Sequence, residues 1–596
     1  MANKINIKID GLQAKVDEGM TILKAARQLN IKIPTLCYHE DLCVAGNCRI
    51  CVVEQVGAKS LVASCAMPVS EGMQILTNSH KVRVARKHII SLLLSEHNAE
   101  CIKCYKNCKC ELQNLASEYN IGEEAFISLV PFKNFTIDML SPSIIKNDSK
   151  CVRCQRCVRT CEELQHVSAL GVAYKGSHMK ISTFFEYPMY DVLCTNCGQC
   201  VNRCQTGALI EKNYIDEVWE AINDRDKHVV VQTAPAVRVS LGEELGFAPG
   251  SRVTGKLVTV LKRLGFDSVL DTDFTADLTI IEEGHEFLTR LKKVLVDHDP
   301  SVMLPMTTSC SPGWIKFIEH TFPEYLENVS TCKSPQQMFG ALAKTYYAKN
   351  RNLDPSKVVS VSIMPCVAKK FEANRPEMRS SGYQDVDYVL TTRELAIMIR
   401  QSGLDFMSLP DSSYDSIMGQ STGAGVIFGA TGGVMEAALR TVYEIITGRE
   451  IPFKGLNITP VRGMEGFREA TIKIEGTKPE WSFLEGVKLK TAVAHGLVNA
   501  KHVMQKIRDG QSDYHFIEIM ACPGGCLGGG GQPIPTNAEI RKKRAEAIYS
   551  EDMSMPIRKS HENPEIINVY NDFLGEPLGE KSHELLHTHY KARTRY

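Results

Sequence analysis

Two short stretches, "CVRCQRCVRTC" at 151–161 and "CTNCGQCVNRC" at 194–204, constrain this chain more than any other feature. Both read C-x2-C-x2-C-x3-C, and they belong to a set of 22 cysteines in 596 residues. Seventeen of those cysteines precede residue 205 and five are scattered beyond it, so a cysteine-dense front half is joined to a larger back half. The opening MANKINIKIDG alternates like a strand and has no apolar leader segment, which predicts a cytoplasmic protein. In such a reducing compartment, closely spaced cysteines are metal ligands more often than disulfides. A chain this long exceeds one hydrophobic core and predicts several domains. Lys plus Arg and Asp plus Glu both number 69, so a nucleic-acid or membrane-surface role driven by bulk charge is not expected. No apolar run reaches the roughly 18 residues of a membrane span.

Residues 4–34 read as strand, turn, strand, helix, strand (INIKIDG, LQAKVDEG, TILKAARQLN, IKIP). Cys37, the Cys48/Cys51 pair and the remote Cys65 follow; a two-iron cluster needs four such thiolates. This resembles the plant-type ferredoxin domain, a β-grasp fold, with a zinc knuckle as the alternative; Cys43 falls outside the pattern. Next, "SEHNAECIKCYKNCKC" places His97, Cys101, Cys104 and Cys110 as H-x3-C-x2-C-x5-C behind the helical HIISLLL. By chemistry alone this set suits a four-iron cubane or a structural zinc. Its position resembles the histidine-ligated cluster segment shared by the large iron–sulfur subunit of respiratory complex I and iron-only hydrogenases, with Cys108 left spare. The two C-x2-C-x2-C-x3-C runs resemble the bacterial two-cluster ferredoxin, in which the fourth cysteine of each run ligates the other cluster. That resemblance implies one cubane on Cys151, Cys154, Cys157 and Cys204 and another on Cys194, Cys197, Cys200 and Cys161. Glu162 and Gln205 replace the usual prolines, which weakens the local turns rather than the ligation. Four clusters in series form a wire to a reaction or a further carrier.

From about residue 228 the pattern becomes that of an α/β domain. The β-rich runs HVVVQTAP, VVSVSIMPC and HFIEIMAC end in functional loops, and DYVLTTRELAIMIRQSG and KLKTAVAHGLVNAKHVMQKIRDG read as amphipathic helices between them. The glycine-rich STGAGVIFGATGG lacks a dinucleotide fingerprint, since G-x-G-x-x-G would need glycine at Phe428. With no P-loop either, any NAD(H) is expected on another subunit. Three cysteine loops remain: TSCSPGW with Cys310, MPCVAKKFE with Cys366, and ACPGGCLGGGGQP with Cys522, Cys526 and four successive glycines. Such glycines admit a bulky ligand and positive φ. Taken alone, the loops suggest one more cubane gathered from distant sequence.

Together the loops resemble the signature of the [FeFe]-hydrogenases, and the resemblance covers nearly the whole chain. It implies an H-cluster, a cubane bridged to a two-iron unit carrying CO, cyanide and an azadithiolate. Cys366, Cys522 and Cys526 would be cubane ligands, with Cys526 the bridge, and Lys369 would donate to a cyanide. Ala234, Pro235, Gln336, Met364, Pro365 and Met520 match pocket positions that keep water from the centre. Glu283 and Glu286, with Arg290 four residues on, could be an ordinary solvated charge run. The resemblance instead makes them, with Ser330, a proton relay that starts at a thiol; buried carboxylates of raised pKa can carry protons near neutral pH. Cys332 is left spare, and the histidines of HELLHTHY read as surface or packing residues. In the family the loop at Cys310 reads T-S-C-C-P, relay thiol then ligand. In strict register Cys310 is the relay and Ser311 stands in the ligand place; a shifted loop would make Cys310 the fourth ligand instead.

The expected fold class is multidomain α+β and α/β. Residues 1–80 would be the β-grasp ferredoxin, 81–125 the histidine-ligated segment, 126–210 the two-cluster ferredoxin, 211–535 the H-cluster domain and 536–596 a small-subunit-like tail. The expected function is reversible 2H+ + 2e− ⇌ H2, with one 2Fe-2S cluster, three accessory 4Fe-4S clusters and the H-cluster. A hydrogen-sensing or degenerate relative and a complex I-like NADH dehydrogenase subunit are the alternatives. Expected partners are ferredoxin, an NADH-binding flavoprotein or formate dehydrogenase subunits, within a multisubunit complex.

Overall fold

Lys4–Ile9 buries every second residue (Ile5, Ile7, Ile9) and turns back through Asp10 and Gly11, both at positive φ, into the antiparallel strand Leu12–Asp17. This hairpin starts the first unit of a computed structural model that describes residues 3–122 and 137–594. The first unit contains Met1–Glu163, Ser168–Val192 and Arg203–Ile210; the second contains Leu164–Val167, Leu193–Asn202 and Glu211–Tyr596.

In the first unit, Lys4–Ile9 also pairs in parallel with Gln74–Leu76, which pairs antiparallel with Val52–Gln55. The helix Ile22–Gln28 is capped by the Thr21 hydroxyl, which accepts from the Lys24 N–H. This is the expected β-grasp order, except that IKIP forms no strand. The Ile31 N–H closes the preceding helix on the Ala26 carbonyl, and Pro34 has no N–H to give a neighbouring strand. HIISLLL lies in the helix His80–Ser95, capped by Ser79.

The second unit holds two four-stranded sheets. One is wholly parallel, in the order Ser268–Asp271, His228–Thr233, Val358–Met364, Tyr388–Thr391. The other runs Met306–Thr307, Phe516–Met520, Lys488–His495, Phe467–Lys473, with only the last strand antiparallel. The central strands are almost wholly buried, as expected for parallel strands covered on both faces.

Two segments read as helices are each a strand followed by a helix. Tyr388–Thr391 is an edge strand, and Thr391 then caps the helix Thr392–Ser402 with a full capping box to Glu394. Lys488–His495 is a central strand that breaks at Gly496, at φ +78, before the helix Leu497–Arg508. In both, pairing on a buried sheet overrides the helical tendency of the alanine- and leucine-rich run. The C-terminal residues form the helices Ala538–Ser554, Pro564–Val569 and Glu580–Leu586 within the second unit. Among the described residues no helix is long and apolar enough to cross a membrane.

Candidate active site

Four strand ends build the site. Ala234 and Pro235 follow His228–Thr233, and Pro365 and Cys366 follow Val358–Met364. Cys310 and Ser311 lie three and four residues past Met306–Thr307, and Cys522 lies two past Phe516–Met520. Carboxyl ends of parallel strands thus converge, two from each sheet. They surround a cavity whose lining includes Ala234, Pro235, Gln336, Met364, Pro365, Lys369, Met520 and the four cysteines Cys310, Cys366, Cys522 and Cys526. Every pocket residue expected from sequence is therefore present. Cys197 lines the same cavity.

The glycine run serves the protein's own backbone. A Cβ at Gly529 would collide with the Pro365 carbonyl and one at Gly530 with the Cys197 carbonyl. Positive φ occurs earlier, at Gly524 and Gly525 between the two cysteines. The expected closeness to a ligand is thus replaced, at these two positions, by loop-to-loop contact that draws Cys526 toward Cys366. Trp314 fixes the TSCSPGW turn by donating from its indole to the Thr308 carbonyl at 3.2 Å.

The polar groups are individually held. Lys369 Nζ donates to the Cys310 carbonyl at 3.2 Å and pairs with Glu372 at 2.9 Å. Gln336 donates to Glu372 at 3.1 Å and accepts from Ser362 at 2.9 Å. The Ser311 hydroxyl accepts the Ala521 N–H at 3.1 Å. Burial raises the Cys310 thiol well above its ordinary pKa; Glu283 raises it further and Lys369 opposes.

Behind Cys310 lies the helix Thr272–Leu295, with Glu283 and Glu286 on its buried side. Burial, and next the neighbouring Glu286, push the Glu283 carboxyl up to about 8. Its oxygens meet no partner with good hydrogen-bond geometry, although Ser330 is close enough to lower its pKa. Ser330 donates to Glu286 at 2.8 Å, and Glu286 is paired with Arg290 at 2.7 Å. Cys332, which sequence spacing leaves spare, is buried with its sulfur 3.8 Å from Glu286 Oε2. Two further carboxylates, Glu372 and Glu518, stand among these groups without a spacing that marks them. Glu518 is buried, accepts from the Gly432 and Met435 N–H groups, and is pushed up to about 7 by burial. Glu372 ends the MPCVAKKFE loop and pairs with its Lys369, whereas Glu518 lies inside the HFIEIMAC strand and accepts from backbone more than 80 residues away.

In the first unit, Cys37, Cys48, Cys51 and Cys65 are close enough to share protons. Cys48 and then Cys65 lower the Cys37 thiol, while Cys65 does the same for Cys51. His97 is buried, its Nδ1 has no hydrogen-bond partner, and desolvation lowers it to about 4. A neutral imidazole with an orphan nitrogen suits metal ligation. Burial raises Cys110, with further increments from Cys104 and Cys101. Cys151, Cys154, Cys157 and Cys204 line one cavity, where burial pushes Cys151 up to about 12 and also raises Cys157 well above its ordinary value. Burial keeps the Cys151, Cys154 and Cys157 thiols protonated, and a cation beside them would stabilise the thiolate form instead, so the residues fit a cluster. Cys161 belongs to the first unit, its sulfur accepting from Ala169 N–H at 3.2 Å. Cys194, Cys197 and Cys200 belong to the second.

Comparison with known proteins agrees along the chain. The model for the iron only hydrogenase large subunit, C-terminal domain, matches residues 227–530, and that for the iron hydrogenase small subunit matches 538–593. Ahead of them, a 2Fe-2S iron-sulfur cluster binding domain matches 2–80 and an NADH-ubiquinone oxidoreductase-G iron-sulfur binding region matches 86–125. An NADH-quinone oxidoreductase subunit 3, ferredoxin-like domain matches 141–210. The chain is 50% identical to the NADP-reducing hydrogenase subunit HndD of Solidesulfovibrio fructosivorans, over 99% of both chains. It is 40% identical to iron hydrogenase 1 of Clostridium pasteurianum, over 98% of this chain and 99% of that one. The solved apo [FeFe]-hydrogenase HydA1 of Chlamydomonas reinhardtii is 44% identical and superposes with a TM-score of 0.58, covering 64% of this chain and 100% of that one. The protein belongs to the iron-only, or [FeFe], hydrogenases: an oxidoreductase acting on H2, with ferredoxin-like iron–sulfur domains ahead of an H-cluster domain.

Proposed function

We propose that Cys366, Cys522 and Cys526 hold the H-cluster for reversible 2H+ + 2e− ⇌ H2, and that Cys310 is the thiol that exchanges protons with it. When bound, the H-cluster supplies an iron position at which protons and electrons combine. Lys369, anchored on Glu372, would donate to a cyanide of that group, and Met364, Met520, Ala234 and Pro235 would exclude water from it. Protons travel by Arg290, Glu286, Ser330 and Glu283 to Cys310. The observation that carries this reading is the buried line of Glu283, Ser330 and Glu286 behind a cavity thiol, with a carboxyl poised near pH 8. A carboxyl so poised can both take and release a proton at working pH.

The surroundings of Cys310 favour relay over ligation. Glu283 and Lys369 act on its thiol ahead of Cys526, whereas the first thiol acting on both Cys522 and Cys526 is Cys366. Ser311 would then take the place of the fourth cubane ligand, where its hydroxyl, far less acidic than a thiol, would be a poor thiolate substitute. Cys310→Ala separates the two roles. The relay role expects lost turnover with CO and cyanide infrared bands retained, whereas lost bands identify a ligand.

The accessory clusters that would carry electrons to the site are those on Cys37/Cys48/Cys51/Cys65, on His97/Cys101/Cys104/Cys110, on Cys151/Cys154/Cys157/Cys204 and on the run Cys194/Cys197/Cys200. Cys197 lines the catalytic cavity, which supports the last as the exit of the wire. The complex I-like front domains and the name of the HndD relative support a cytoplasmic multisubunit enzyme that exchanges electrons with ferredoxin, an NADH-binding flavoprotein or formate dehydrogenase subunits. Purification of the native assembly and identification of what co-elutes tests the partners. Infrared bands with a hydrogen-evolution assay on the matured protein test the chemistry; a protein without the bands or the gas refutes the reading.

A further inference from the structure

The relay carboxylate Glu286 has a second neighbourhood besides Arg290, built by the C-terminal segment. His587 is buried, with Nδ1 2.8 Å from the Thr331 hydroxyl and Nε2 3.0 Å from Glu282. One His587 nitrogen, the Cys332 sulfur and a Glu286 oxygen all lie within 4.8 Å of one another. On its other side, His587 meets His583 with ring centroids 4.5 Å apart and the rings tilted by 44°, and His583 is exposed. Three imidazole and carboxyl groups thus lead inward from water to the relay.

The pair is held firmly. The Lys333 N–H donates to the Leu586 carbonyl and the Thr588 N–H to the Thr331 carbonyl, both at 2.8 Å, clamping the histidine segment to the loop that carries Ser330. Glu282 accepts from the Tyr570 and Ser582 hydroxyls and the Leu578 N–H as well as from His587. Burial alone would raise the Glu282 carboxyl, but hydrogen bonds from His587, Ser582 and Tyr570 outweigh it and keep it ionised. A fixed anion fixes the tautomer of the imidazole it accepts from.

We propose that His583 and His587 form a second proton port of the relay, joining solvent to Glu286 independently of Arg290. A proton taken from water by His583 passes to His587. It then crosses to Glu286 through the Cys332 thiol or a single water, and Glu286 passes one on to Ser330. Each carrier gains one proton and releases one, so nothing is consumed, and the direction reverses for H2 oxidation. The inference rests on Glu286 being part of the relay as proposed above. The charged and titratable groups facing the pair are Glu282, Glu286, Arg290, Cys332, Tyr570 and His589.

The test uses the matured full-length enzyme in a buffer free of small imidazoles. His583→Gln is expected to lower turnover several-fold with unchanged CO and cyanide bands, and added imidazole is expected to restore it. His587→Gln is expected to lower turnover without such rescue. It should also shift the pH at which the protonated-carboxyl infrared band assigned through Glu286→Gln disappears. Wild-type turnover in His583→Gln, a loss that imidazole does not restore, or an unshifted carboxyl band in His587→Gln overturns the port. A fall in melting temperature with normal turnover in His587→Gln makes the residue a structural pin and also overturns it. Wild-type turnover in Glu286→Gln instead removes the relay reading itself.

Discussion

The thiols of Cys151, Cys154 and Cys157 come from seven consecutive residues, whereas those of Cys310, Cys366, Cys522 and Cys526 come from three loops far apart in the chain. The short loop positions sulfur by local backbone geometry. Arg153 and Gln155, between its cysteines, adopt the left-handed conformation at φ +54 and +61. Outside glycine, each such residue costs roughly 1–2 kcal/mol. The catalytic cavity positions sulfur by tertiary structure: four strand ends, a locked tryptophan turn and glycines that let one loop touch another. A local site therefore fails locally, and an assembled site fails as a whole.

The largest expected contrast follows from that difference. Cys366→Ala should abolish turnover and the CO and cyanide infrared bands while the accessory-cluster signals in electron paramagnetic resonance persist. Cys154→Ala should remove one accessory signal and leave the infrared bands in place. If Cys154→Ala also erased those bands, the loop would not be the independent unit its geometry suggests.

Next in size is Glu283→Gln, expected to cost roughly 10²- to 10⁴-fold in turnover, the range of a lost acid–base group. The same substitution has a stability signature. The unfolded carboxyl releases its proton near pH 4.3, but burial and Glu286 hold the folded one protonated to about pH 8. The native state therefore binds the extra proton between those values, and stability falls with rising pH by up to about 1.4 kcal/mol per unit before levelling off. Glu283→Gln removes that slope, so its apparent melting temperature should gain on the wild type from pH 5 to pH 8. Parallel melting curves would mean that Glu283 is solvated.

The same contrast explains what could be read in advance. Ligand spacing is written in consecutive residues, so the cysteine runs, the β-grasp prelude and the strand-end loops were legible. The proton path was legible only by resemblance: nothing in "IIEEGHEFLTR" says which carboxylates are buried, because Ser330 lies 44 residues from Glu286 in sequence. Cys332 looked spare and His587 looked like packing for the same reason, since Glu282 and His587 are 305 residues apart. KLKTAVAH was misread because its small apolar residues satisfy helical and strand periods alike, and only a central place in a sheet decides between them. The glycines of LGGGGQP suggest room for a ligand, but at Gly529 and Gly530 it is protein backbone that comes close, which no local pattern shows.

The smallest expected effects come from exchanging equivalent positions of the two runs. Where the first has Gln155 at φ +61, the second has Gly198 at φ +71. Gly198 has a second reason to be glycine, because a Cβ there would stand 2.8 Å from the Val367 side chain, next to Cys366. Gly198→Gln should therefore disturb the catalytic cavity, lowering both the accessory signal and the infrared bands. Gln155→Gly relieves left-handed strain of roughly 1 kcal/mol, partly offset by the greater freedom of glycine in the unfolded chain. The expected result is a slightly slower loss of the first cubane's paramagnetic signal to a chelator, with turnover unchanged. Faster loss would show that the Gln155 side chain shields the cluster and that this loop, too, depends on more than its own backbone.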